Sequence, residues 1–393
     1  MPANALRTPA RLFAVSVLLS ILTCCGSNTP IICNAPSSNS NTATCTCGSG
    51  TDACAPTHGP EFLYATAITS TGGQILAFSV DRNSGALTSI GSVPGPSNPF
   101  PTVGLAAVNN QFLFASDRSQ SQLDGYSIDQ TTGALSAIAG SPFSTGTLSF
   151  PGALVSPPFS NFLYASDIAM IDAFDVSSAG APSAISGSPF PSGSGLFLAT
   201  GPTGGFVYAP DADPPGGVRA FAIGSSGALT EVPGSPFTIP GQPDSVPTGI
   251  ADDNGSFVYT TLPLTNQIAA FSIVSGTGAL TPVPGSPFAA GNGPTSVIVT
   301  ANGFLYALNT GSISGYSINS DSGVLTPLSG SPFATAGLSI ATNFLGQYLY
   351  VAGPIGIQVF TINPSSGALT PLPGSPFVAS GATFLTIVQI PPP

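Results

Sequence analysis

Residues 366–377 read Ser366-Gly367-Ala368-Leu369-Thr370-Pro371-Leu372-Pro373-Gly374-Ser375-Pro376-Phe377, and seven copies of this pattern run from about residue 62 to the C-terminus. Each copy ends in Pro-Phe, at Phe100, Phe143, Phe190, Phe237, Phe288, Phe333 and Phe377. Ten residues before that Phe, in six of the seven, stands a glycine (Gly133, Gly180, Gly227, Gly278, Gly323, Gly367). In the first copy Gly85 lies fifteen before Phe100, which marks a five-residue insertion. An aromatic precedes each glycine by six or seven residues: Phe78, Tyr126, Phe174, Phe221, Phe271, Tyr316 and Phe360. A second set lies ten to fourteen residues further back: Tyr64, Phe114, Tyr164, Tyr208, Tyr259, Tyr306 and Tyr350. A unit of 44–51 residues carrying several short strands is the mark of a β-propeller blade.

The strands follow from local composition. Phe62-Leu63-Tyr64-Ala65 and Phe304-Leu305-Tyr306-Ala307 are continuous apolar runs, as an interior strand covered on both faces requires. Ile268-Ala269-Ala270-Phe271-Ser272-Ile273 mixes bulky and small residues, which suits sheets packed face to face. Ser-Gly-Ala-Leu-Thr is read as a hairpin turn whose glycine takes a positive φ. Pro182, where other copies have Leu or Val-Leu, marks an outer edge. Gly-Ser-Pro-Phe is then expected to stop the outer strand and turn its Phe inward.

An inner strand is expected before the first aromatic, over Pro101 to Val108, Val246 to Ala251 and Thr295 to Thr300. The first copy has Thr57-His58-Gly59-Pro60 there instead, while the last segment, Thr383 to Ile390, has no blade of its own. The two defects fit each other. Phe384-Leu385-Thr386-Ile387-Val388 is predicted to be the inner strand of blade one, so that both termini close the ring and no sheet edge is left open. The fold class is all-β: a seven-bladed β-propeller over residues 59–393, closed by the strand at about 383–390.

Only 5% of the 393 residues are charged, there is no Lys, and the net charge is −11. Such a chain has no electrostatic basis for holding nucleic-acid phosphate, and polyanionic substrates are disfavoured. All six cysteines precede residue 55. Arg7 and Arg11 followed by the apolar run Leu12 to Leu22 read as a secretion signal, too short to span a membrane. Residues 1–25 end in Leu22-Thr23-Cys24-Cys25-Gly26, which resembles a bacterial lipoprotein cleavage box. Cys25 is the expected lipidation site, with Cys24 the alternative, since Cys24 stands where Gly or Ala is usual. Four cysteines then remain for disulfides: Cys33, Cys45, Cys47 and Cys54. A disulfide suits Cys45 and Cys47 better than a metal, because no second pair has zinc spacing. Residues 26–58, rich in Ser, Thr, Asn and Gly, read as a tether. The expected location is the bacterial cell envelope, lipid-anchored, or the secreted fraction, as a monomer touching the membrane through its lipid only.

The recurring Phe-Leu-Tyr-Ala, Ala-Phe-Ser-Ile, Ser-Gly-Ala-Leu-Thr-Pro and Gly-Ser-Pro-Phe motifs resemble those of the bacterial lactonase-like seven-bladed propellers, the family typified by the propeller-type 6-phosphogluconolactonase. The resemblance covers residues 59–393 and implies the fold. For activity it implies a lactone hydrolase using Arg, His and acidic residues in the central cleft. This chain departs from that set: its single His, His58, lies in the tether junction, and the propeller holds only Arg82, Arg118 and Arg219.

What remains is acidic. Asp117, Asp167 and Asp211 stand at the exit of the second strand in three adjacent copies, with Asn309 in the sixth. Asp124 and Asp172 begin the next strand, each facing its own copy's first Asp across a hairpin. These five carboxylates, with Asp213 nearby, are read as a candidate rim for a ligand or a hard divalent cation such as Ca²⁺ or Mg²⁺; no other cofactor is indicated. Arg118 and Arg219 belong to the same rim, to orient a carbonyl or pair with an Asp. The same Asp residues also suit turn capping, and both readings stand open here. Asp252-Asp253-Asn254-Gly255, Asp81 and Asp321 are read as turn residues. No nucleophile elbow, phosphate-binding loop or zinc set is present in the repeats. Two functions fit: a binding or scaffold propeller presenting its acidic top face to a carbohydrate, peptide or protein, or a lactone hydrolase assisted by a metal bound through Asp117, Asp167 and Asp211.

Overall fold

The computed structural model describes residues 59–391 except 70–71, 97–103, 145–149, 202, 243, 254, 378 and 380, and before residue 59 only two short strand backbones. Those strands, Ile32–Asn34 and Thr44–Thr46, pair antiparallel with Cys33 opposite Cys45. They belong to a unit separate from the propeller, Pro60–Pro391. The expected signal, Cys24, Cys25, Cys47, Cys54 and His58 lie outside the described residues, as does Phe100. Among the described residues no helix is long and apolar enough to cross a membrane.

Seven antiparallel sheets form the blades of a ring. Blade one joins both ends of the chain. Its inner strand, Ala382–Gln389, pairs with Glu61–Thr69, and Gly72–Val80 and Leu87–Pro94 follow outward. The register sets Leu385 opposite Ala65 and Val388 opposite Phe62. The closure expected from the unmatched termini is therefore present, through the predicted residues. In the other blades the inner strands are Leu105–Val108, Leu154–Val155, Ala199–Thr200, Ile250–Asp253, Ser296–Val299 and Ser339–Thr342. Among the described residues each inner strand pairs on one edge only, so its other edge faces the central channel.

Two repeated contacts show why the motif has its residues. The first links blades. The Tyr64 hydroxyl donates to the Gly133 carbonyl of the next blade at 2.8 Å, and Tyr164, Tyr259 and Tyr306 do the same to Gly227, Gly323 and Gly367 at 2.8, 3.0 and 2.6 Å. Tyr208 reaches Gly278 at 3.4 Å, and Tyr350 closes the circle onto Gly85 at 3.2 Å. Blade two breaks the series, because Phe114 has no hydroxyl for Gly180. Burial of these phenols pushes their ionisation well above the usual range. The same glycines have positive φ and lie flat against an aromatic of the preceding blade; a Cβ on Gly278 would sit 2.3 Å from the Phe206 ring. Glycine is thus required twice, for the turn and for the close approach.

The second contact corrects an expectation. Gly-Ser-Pro-Phe does not end the outer strand; it divides it. In blade two both Leu135–Ala137 and Phe143–Ser144 pair with the third strand, Gln122–Ile128, and blades three to six repeat this. Where the outer strand is interrupted, the serine hydroxyl accepts the third-strand N–H left without a carbonyl: Gly125 to Ser141 at 2.8 Å, Ala270 to Ser286 at 2.8 Å, Val359 to Ser375 at 2.8 Å. The Phe then packs, half-buried, against the core between blades, as expected of Phe143, Phe190, Phe237, Phe288, Phe333 and Phe377.

Candidate functional site

The carboxylates expected to share one rim lie in three successive clefts between blades. Side chains alternate across a strand, so Asp117 and Asp124 fall on the face that carries Leu113, Ala115 and Tyr126, which packs on blade one. Asp167 and Asp172 share the face of Leu163, Ala165 and Phe174, packed on blade two. Asp211 and Arg219 share that of Val207, Ala209 and Phe221, packed on blade three. Strand alternation thus turns these groups sideways into the clefts rather than into the funnel. Among the described residues no three His, Cys, Asp or Glu side chains come together as a metal-holding group. The five carboxylates thus lie in successive clefts; within blade two Asp124 stands opposite Ala115 and Asp117 opposite Gln122, on one face and close enough for the charge of Asp117 to act on Asp124.

Each cleft uses its acids structurally. Asp117 Oδ1 accepts from the Ser119 N–H and hydroxyl and the Gln120 N–H at 2.8–3.1 Å, an Asx turn. Burial, then the charge of Asp117, pushes the Asp124 carboxyl up to about 7. Asp167 Oδ1 accepts from the Phe150 N–H at 2.7 Å, fixing the crossover into blade three, and from Ile168 N–H at 2.6 Å. Asp172 is fully buried. The Arg118 guanidinium lies 3.8 Å over the Phe150 ring; burial pulls its pKa down and the charge of Asp167 opposes this. Asp211 accepts from the Asp213 N–H at 3.0 Å and from Arg219 Nε at 2.7 Å, and Arg219 Nη1 reaches Glu231 at 2.8 Å. Asp213 in turn accepts from the Ser194 hydroxyl. Arg82 pairs with the buried Glu61 at 3.5 Å. In blade six the same places hold Asn309 and Ser314, whose hydroxyl accepts the Gly291 N–H at 2.9 Å. These are positions for tethering crossovers, filled by whatever polar group serves.

A different feature lies at the opposite mouth of the channel, where inner strands turn into second strands. A cavity of about 370 Å³ is walled by Ile298, Val299, Ile340, Leu385 and Ile387, with Phe344, Thr386 and Asp252 among its lining. Asp252 was expected in a turn; it closes the inner strand Ile250–Asp253, paired with the buried Val258. Its Oδ1 accepts the Gly255 N–H at 2.7 Å, which keeps part of the turn reading, and its Oδ2 is buried with no hydrogen-bond partner. Burial raises the Asp252 carboxyl to about 6 against that hydrogen bond, and burial with the charge of Asp252 raises Asp253 to about 6. Aligning the copies on their second strands would have exposed Asp252 in the sequence. It stands at the register place of Ala107, Thr200, Val299, Thr342 and Ile387, where no other carboxylate occurs.

Comparison with known proteins agrees with the fold. Residues 247–386 match the family model described as lactonase, 7-bladed β-propeller. A candidate 6-phosphogluconolactonase from Bacteroides fragilis superposes with a TM-score of 0.71 at 18% identity, over 85% of this chain and 99% of that one. The periplasmic gluconolactonase of Pseudomonas aeruginosa superposes with a TM-score of 0.67 at 19% identity, over 84% and 99%. At that identity the likeness is one of fold. No curated protein matches the sequence.

Proposed function

We propose that this chain, a seven-bladed β-propeller of the lactonase type, hydrolyses an uncharged lactone at the bacterial cell envelope. One observation carries the substrate class: every arginine of the propeller is committed elsewhere, Arg82 to Glu61, Arg219 to Asp211 and Glu231, and Arg118 to the Phe150 ring beside Asp167. No cation is left to hold a phosphorylated sugar, and the net charge of −11 repels one. The family match over residues 247–386 supports lactone chemistry, and the signal-like segment ending at Cys25 supports an envelope location. Dependence on Ca²⁺ or Mg²⁺ enters the test as a separate arm, since no three metal-ligating side chains come together among the described residues.

The test is ring opening followed by pH-stat on a panel of neutral and phosphorylated lactones, with and without each cation. Turnover of neutral lactones above background is expected, and turnover of none of them sinks the hydrolase. The second reading, a non-catalytic propeller offering its acidic face to a carbohydrate, peptide or protein, is favoured by the lack of any His beyond His58. Retention of a specific partner without turnover would select it. For the anchor, Cys25→Ser is expected to release the protein from the membrane fraction, and unchanged sedimentation would remove the lipid from the account.

A further inference from the structure

We infer that the cavity at the inner-strand turns is the ligand pocket for a compact neutral sugar lactone, with Asp252 as its base. The inference rests on the hydrolase reading and adds a site, a substrate class and a role. Several independent features of the cavity agree. Its volume of about 370 Å³ lies in the range of small-molecule sites, roughly 300–1,000 Å³. Its wall combines aliphatic side chains with inner-strand edges whose backbone N–H and C=O groups have, among the described residues, no partner strand on the channel side, the Leu385 N–H alone meeting the Ser339 hydroxyl of the next blade. That alternation of donors and acceptors suits a polyhydroxylated ring. Phe344, half exposed at the mouth, offers an aromatic face of the kind on which the C–H face of a sugar ring rests. The Thr386 side chain makes no hydrogen bond to the described residues and is free to meet a hydroxyl.

Asp252 departs from its own repeat. Five other blades fill the same register place with Ala107, Thr200, Val299, Thr342 and Ile387, so packing does not ask for a carboxylate. Burying one there costs free energy that the Gly255 N–H offsets at Oδ1 only, since Oδ2 is left without a partner. The Gly255 N–H fixes the rotamer through Oδ1 and leaves Oδ2 as the acceptor for a ligand or for water. The titratable groups facing it are Asp253 on its own strand and the buried Tyr208 phenol of the preceding blade. Neither supplies a positive charge, so Asp252 keeps a basicity suited to proton transfer near neutrality.

The step balances. The Asp252 carboxylate takes a proton from water as the water oxygen bonds to the lactone carbonyl carbon. Collapse of the tetrahedral species breaks the bond to the ring oxygen, which takes the proton back from Asp252. The product is the open hydroxy acid, and Asp252 returns to its carboxylate form. Channel-side N–H groups of the inner strands, other than that of Leu385, which donates to the Ser339 hydroxyl at 3.3 Å, are the available donors for the developing oxyanion.

The experiment uses the full chain with glucono-δ-lactone, corrected for spontaneous opening, across pH. Asp252→Asn keeps the acceptor for the Gly255 N–H, so folding is retained; kcat is expected to fall about 10²-fold or more, with loss of the rise in rate around pH 6. Phe344→Ala is expected to raise KM with little change in kcat, and Asp321→Asn, on an exposed turn, to change neither. If the wild type turns over lactone and Asp252→Asn keeps both the rate and the pH limb, the site assignment is overturned and the hydrolase reading stands. If the wild type shows no turnover, the base assignment and the hydrolase reading fall together. Calorimetry with the anhydropolyol of the same ring then tests the cavity by itself: binding lost in Phe344→Ala retains it as a pocket, and no heat removes it.

Discussion

Replacing Tyr306 by Phe removes one atom from the latch between blades six and seven, and its cost can be worked from the structure. The hydroxyl is fully buried and donates to the Gly367 carbonyl at 2.6 Å. The ring has room as Phe, because blade two carries Phe114 at the same place. The loss is then the cost of leaving a buried carbonyl unserved, about 1–3 kcal/mol, rather than the smaller net value of an average hydrogen bond. We expect Tyr306→Phe to destabilise by roughly 1–3 kcal/mol. The converse change, Phe114→Tyr, supplies the missing seventh latch to Gly180 and is expected to stabilise by about 0.5–1.5 kcal/mol. Both are read as shifts of the urea midpoint at unchanged slope. Because burial holds these phenols protonated, the difference should be flat from pH 6 to 9. A neutral Tyr306→Phe, or a Phe114→Tyr as destabilising as its counterpart, would refute the latch as a source of inter-blade stability.

Other perturbations follow from the same contacts. Gly278→Ala forces a Cβ into the Phe206 ring at a φ of +71°, and a loss of at least about 1–3 kcal/mol is expected in thermal unfolding. Ser286→Ala strands the Ala270 N–H at the divided outer edge; a loss of about 1–3 kcal/mol in urea unfolding is expected, and Ser286→Thr should recover part of it. Asp124 has a folded-state carboxyl near 7, above its ordinary 3.8. The native state then binds more protons than the unfolded one between those values, so its contribution falls as pH rises from about 4 to about 7. Asp124→Asn should flatten that slope in pH-dependent denaturation, and an unchanged slope would contradict the assignment.

Much of the fold was legible because the repeat states it seven times. The unmatched Thr383 to Ile390 and the unmatched start at residue 57 named the closing strand, and Gly278 named its own turn. What was hidden is contact between copies. Nothing within one unit says that Tyr208 reaches the glycine of the following unit at a sequence distance of 70; hidden within a unit is that Ser286 serves the Ala270 N–H of a strand already passed. The site was less legible for a physical reason. Asp117, Asp167 and Asp211 share a place in the repeat, which gives them equivalent blade positions, and strand alternation turns equivalent positions toward successive clefts rather than toward one another. Asp252 was obscured by Asn254-Gly255, a turn signal that is real for its Oδ1 and silent about its Oδ2.

The most direct test of the central claim is the ratio of kcat/KM for glucono-δ-lactone to that for its phosphorylated counterpart, measured on the full chain. With every propeller arginine committed, the account predicts turnover of the neutral lactone and a ratio well above one. A ratio below one, or no turnover of the neutral lactone, would contradict it.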